Sequence, residues 1–149
     1  MTKYIALSLA LVVAVLVVVS PSVPNAMANS ANVPPGVYTT TLTAADIPAE
    51  FPPEFIPVLV GDWEIEFSES GSYIVSKDGY PVVVGRYNSN PSRIVMTDLQ
   101  GPLSCTDEPG IATATYRWTL AGDELILTTV NDRCAGRNLA LTAHPLQRQ

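Results

Sequence analysis

The chain has 149 residues, 47% apolar and 15% charged, and its eight Lys and Arg against fourteen Asp and Glu give a net charge of −6. That balance argues against nucleic acid and anionic membrane surfaces as partners, since both are bound through clustered cations that displace counterions. The length also excludes two self-sufficient domains and suits one domain around one core.

Residues 1–28 have the organisation of a secretory signal. Lys3 supplies the positive start, residues 5–19 are apolar except for Ser8, and Pro21 and Pro24 lead into Ala26-Met27-Ala28. The apolar run is shorter than the roughly 20 residues that cross a bilayer and lacks a basic stop-transfer flank, so cleavage after Ala28 is expected over a retained anchor. The mature chain would then begin at Asn29, secreted or periplasmic, with no stable membrane insertion. Residues 29–35 read as a flexible lead to a domain covering residues 36–149.

Within that domain the dominant hydrophobic period is two. Strands are expected at 36–43, 58–67, 72–77, 82–87, 93–99, 112–120, 124–130 and 139–144. In the second of these, Trp63, Ile65 and Phe67 alternate with Asp62, Glu64 and Glu66, which describes one buried face and one wet face. Turn chemistry separates the strands at Glu69-Ser70-Gly71, Asp78-Gly79, Asn88-Ser89-Asn90-Pro91, Ala121-Gly122-Asp123 and Asn131-Asp132. Residues 44–57 carry Pro48, Pro52, Pro53 and Pro57, which forbid a continuous ladder. This segment is either a lid over one end of the sheet or a linker tacked down by Phe51 and Phe55.

The fold class expected is all-β: an antiparallel up-and-down meander of about eight strands closed into a barrel, which removes the edges. A sandwich competes, but needs longer crossovers than these turns provide. Cys105 and Cys134 both lie in the exported part, where one disulfide between them is the default.

Gly61-Asp62-Trp63, opening a strand, resembles the Gly-x-Trp signature of lipocalins and the wider calycin group. Gly71-Ser72-Tyr73, Gly85-Arg86-Tyr87, Tyr116-Arg117-Trp118 and Asp132-Arg133-Cys134 followed by Arg137 add a similarity to small exported bacterial lipocalin-like domains. The resemblance implies that Trp63 closes one end of the barrel with an arginine packed across it, Arg137 first and Arg133 as substitute. In lipocalins the Gly-x-Trp strand comes first, whereas here the 36–43 strand precedes it. Thr97-Asp98-Leu99 is similar to a lipocalin loop pattern but falls at a strand end, and is given no role.

Catalytic constellations are sparse. The single histidine, His144, falls on the last expected strand, no His or free Cys set is available for zinc, and no glycine-rich phosphate loop occurs. No catalytic residue, metal or cofactor is therefore assigned. Asp62, Glu64 and Glu66 could serve acid–base chemistry or calcium only if their face lined a cavity; a solvated face is the favoured reading.

Ligand-binding candidates are Tyr73, Val84, Arg86, Met96, Tyr116 and Trp118, with Arg86 or Arg117 able to anchor an anionic head group; Cys105, Cys134, Gly61, Trp63 and Arg137 are structural. A filled interior is the alternative use of the same residues. Three functions follow. The preferred one is a lipocalin-like binder of a small hydrophobic molecule in a barrel cavity. The others are an interaction or inhibitor module with a solid barrel that presents Phe51 and Phe55, and a barrel isomerase or cyclase built on convergent polar groups such as Glu66 with Tyr116.

Overall fold

A computed structural model describes residues 32–149; the expected signal, its cleavage site and residues 29–31 lie outside them. Period-two patterning becomes eight strands: β1 Gly36–Leu42, β2 Gly61–Phe67, β3 Ser72–Lys77, β4 Tyr80–Asn90, β5 Arg93–Gln100, β6 Thr113–Ala121, β7 Glu124–Asn131 and β8 Leu146–Arg148. Each pairs antiparallel with its sequence neighbour and β8 returns to β1, so the sheet closes into a barrel without a free edge.

The alternation sets inside from outside. On β2 the residues Trp63, Ile65 and Phe67 are buried while Asp62, Glu64 and Glu66 are exposed, so the acidic row decorates the outer wall. On β6, Ala114, Tyr116 and Trp118 point inward and Arg117 outward. Gly36–Leu42 is a full barrel strand that pairs along the whole of β2, so the Gly-x-Trp strand is second in order.

One expectation is corrected. Most of the stretch expected as the last strand, residues 139–142 of 139–144, belongs to a helix, α2 (Ala135–Thr142), and the closing strand is the three-residue β8 beyond it. Leu139-Ala140-Leu141 is a short apolar run, which periodicity alone cannot assign, and the Ala, Leu and Arg around it are strong helix formers. Ala140 and Leu141 are buried, and the residue that precedes the helix, Cys134, is tied to Cys105 by the disulfide. Of the expected lead, the described residues 32–35 contact the barrel. Val33 is 1% exposed, its N–H donates to Ser89 Oγ at 3.1 Å, and the Tyr38 hydroxyl donates to the Pro34 carbonyl at 2.9 Å.

The barrel interior is divided. Where β1 begins and β2 ends, Phe67 meets Tyr38, Tyr73 and Tyr87 with ring centroids 5.8, 6.3 and 4.8 Å away, in edge-on or tilted packing that fills this end. At the opposite end, beneath the start of β2 and the end of β5, the barrel is hollow. There residues 44–59 fold into two 3-10 turns (Ala44–Asp46 and Pro53–Phe55) and a single helical turn, α1 (Ile56–Leu59).

Candidate functional site

The hollow end is a cavity of about 530 Å³, a size typical of small-molecule sites. Trp63, Val75, Val83 and Met96 from β2 to β5 form one side, and Ala140 and Leu141 of α2 form another. The Pro-rich segment contributes Phe51, Phe55 and Leu59, and the disulfide lies in the wall between Leu103 and α2. Of the two readings of residues 44–57, the structure therefore supports a cover over one end of the barrel. Its first turn is tied in place: the Asp46 carboxylate accepts 2.7 Å bonds from the Thr43 N–H and hydroxyl and lies 2.9 Å from His144 Nε2. The bonds from Thr43, then the imidazole, hold the Asp46 carboxyl below its ordinary pKa.

Polar chemistry at the cavity converges on Asp98, which is 3% exposed at the inner end of β5. It becomes reachable because Gly85 lies between Tyr73 and Asp98 in the cross-strand register, and the Tyr73 ring passes over the bare glycine. The Tyr73 hydroxyl donates to Asp98 Oδ1, and the Cys105 N–H donates to Oδ2 at 2.8 Å. Behind it, Arg137 forms a pair of hydrogen bonds to Asp132, at 2.7 and 3.0 Å, and approaches Asp98 at 3.1 Å. It also donates to the carbonyls of Ile111 and Ala112. The Tyr116 hydroxyl donates to Asp132, completing a buried network of two carboxylates, one guanidinium and two phenols.

Burial, and then the bonds to Asp98 and Asp132, push the phenol pKa values of Tyr73 and Tyr116 well above the ordinary range. Burial by itself would lower that of Arg137, but Asp132 and Asp98 outweigh it and keep the cation firmly protonated. Among the described residues no buried side-chain nitrogen or oxygen lacks a partner, as the cost of an unpaired polar group demands.

The expected site residues separate into three groups. Tyr73 and Met96 line the cavity. Tyr116 and Trp118 face inward but lie outside the cavity wall: the Trp118 indole N–H donates to the Asn90 carbonyl at 2.8 Å, and Tyr116 is committed to Asp132. Arg86 is exposed on the outer face of β4 and Val84 faces the same way, since Val83 and Gly85 take the inward positions. With Arg117 also outside, neither cation expected to anchor an anionic head group reaches the interior.

Gly61 opens β2 beside Asp78, whose carboxylate accepts the Asp62 N–H at 2.9 Å. Trp63 lies in the cavity wall with its indole N–H on the Leu59 carbonyl at 2.8 Å, and Arg137 lines the same cavity from α2. Glu66 and Tyr116, the example given of convergent polar groups for a barrel isomerase, lie on opposite sides of the wall.

Sequence reading missed Asp98 and Asp132. Asp98 carried a usable signal, because it is in phase with the buried Ile94 and Met96 while Leu99 falls on the outer face, 52% exposed. Asp132 stood in the quoted Asp132-Arg133-Cys134 pattern before Arg137, and its Cys134 and Arg137 contacts are local, whereas its bond from Tyr116 of β6 is made only in the fold. Among the described residues no group of three His, Cys, Asp or Glu side chains is placed to hold a metal ion. No helix among them is long and apolar enough to cross a membrane. No family model, curated protein or solved structure matches the chain.

Proposed function

We propose that this protein is an exported lipocalin-like barrel that binds a small hydrophobic molecule at its α2 end. The observation that carries the reading is the cavity of about 530 Å³, walled mainly by apolar side chains and covered by the Pro-rich segment with Phe51 and Phe55. A cleft of this size with a few fixed polar groups is what small-molecule recognition requires. Gly61-Asp62-Trp63, with Trp63 in the cavity wall, supports the calycin likeness, and the Cys105–Cys134 bond fits an oxidising compartment.

The barrel is solid only at its aromatic end, so a filled interaction module describes it less well. An isomerase needs polar groups converging inside the cavity; Glu66 and Tyr116 do not meet there, and Tyr73, Asp98 and Arg137, which do, are bonded or paired to one another.

The chain has two tryptophans, and Trp118 is remote from the cavity wall, so Trp118→Phe leaves Trp63 as the reporter. Titration with a medium-chain aliphatic alcohol should change Trp63 emission saturably, and Ala140→Leu, which intrudes on the cavity from α2, should weaken the binding while the far-ultraviolet spectrum is retained. Emission that stays constant across the titration in the parent protein would refute the binding reading.

A further inference from the structure

We infer that the cavity selects amphiphiles whose polar end is cationic, the charge being read by Glu50 and Asp107 while Arg137 is withheld from the ligand. This inference rests on the ligand-binding reading above and assigns the chemical class of ligand.

Arg137 is the only cation among the described residues that line the cavity. A guanidinium has five N–H groups. Nε donates to Asp132 Oδ2 at 3.0 Å, Nη2 to Asp132 Oδ1 and the Ile111 carbonyl at 2.7 Å each, and Nη1 to the Ala112 carbonyl at 2.8 Å. Nη1 also lies 3.1 Å from Asp98 Oδ2, an ion pair beside those four hydrogen bonds. Four of the five hydrogens thus have acceptors and the Nη1 end already faces a carboxylate, so an incoming carboxylate or phosphate would meet a guanidinium paired with two carboxylates.

The charges agree with this count. Two carboxylates share the single guanidinium, which leaves the buried network one negative charge in excess. Glu50 and Asp107, exposed and part of the same lining, add two more at the side open to solvent. Arg86 and Arg117, the remaining cations of the neighbouring strands β4 and β6, are exposed on the outer wall. An apolar body therefore finds its complement in the walls, and a positively charged end finds complementary potential at the mouth.

Three probes that share one alkyl chain separate the possibilities: decylamine, decanol and decanoate at neutral pH, read by Trp63 emission in the Trp118→Phe protein and by calorimetry. Expected affinities fall in that order, with the amine bound on the order of tenfold tighter than decanoate. The gap should close in Glu50→Gln/Asp107→Asn, whose exposed positions leave the core untouched, and in about 1 M salt, where the Debye length drops to about 3 Å.

If decanol binds but decanoate equals or exceeds the amine, the charge selection is wrong and the binding reading survives. An amine preference unchanged in the double variant overturns the assignment to Glu50 and Asp107. If no probe binds, the binding reading fails and takes this inference with it.

Discussion

Gly85 does more for the site than its size suggests. A Cβ built there would fall 2.2 to 2.4 Å from Tyr73 ring atoms, so the missing side chain is what lets the ring cross β4 and reach Asp98. Gly85→Ala should cost about 1–3 kcal/mol by overpacking. Asp98→Ala removes one partner of a buried ion pair and leaves the Tyr73 hydroxyl and Cys105 N–H without an acceptor, for an expected loss of about 3–5 kcal/mol. Both changes act through the Tyr73–Asp98 bond, so urea titration of the double variant should show less than the sum. The same phenols govern the alkaline limb of stability. Burial raises the pKa of Tyr38, Tyr73, Tyr87 and Tyr116 in the folded state, so above about pH 10 the unfolded chain releases protons that the folded chain retains. Their contribution is complete below that pH and is lost as pH rises, and the urea midpoint should fall between about pH 9 and about pH 11. Tyr73, Met96, Val84 and Arg86 were all read in advance as cavity-facing. The first two line the cavity, whereas Val84 and Arg86 face outward, because Val82-Val83-Val84 is apolar on both parities and hid which one faced in.

At the scale of elements, the seven longer strands were readable because each carries period-two patterning between recognisable turns, as Trp63-Glu64-Ile65-Glu66-Phe67 shows best. The helix α2 was not, since eight residues with one short apolar run satisfy either geometry until packing chooses. That choice matters for the cavity, because α2 supplies Gly136, Arg137, Ala140 and Leu141 to its wall. Leu141→Ala should therefore destabilise by about 2–5 kcal/mol and also enlarge the binding volume. The Pro-rich segment should behave differently. Phe55 is half exposed, so Phe55→Ala is expected to lower the affinity for an alkyl probe severalfold while shifting the melting temperature little, and a large loss of stability would count against its role as a cover. Its Asp46 tether has a depressed carboxyl pKa, so that contribution is present above the unfolded value near pH 4 and is lost as pH falls through the folded one.

For the whole molecule, the Cys105–Cys134 bond spans 29 residues and joins the loop after β5 to the start of α2. Reduction should cost about 3–4 kcal/mol by the chain-entropy estimate and loosen two parts of the cavity wall together, so thermal melts with and without reductant should differ more in ligand response than the stability change accounts for. The closed barrel followed from eight strands and tight turns, whereas the division into a packed end and a hollow end depended on side chains meeting across strands, which no local pattern encodes. The seam where the cylinder is fastened has the least material. β8 contributes two register pairs to β1 and two to β7, against seven between β1 and β2. A clasp that thin should be where the wall first parts, with its amides exchanging earliest in heavy water while β2 to β6 remain shut, which gives the molecule a hinge line along β8.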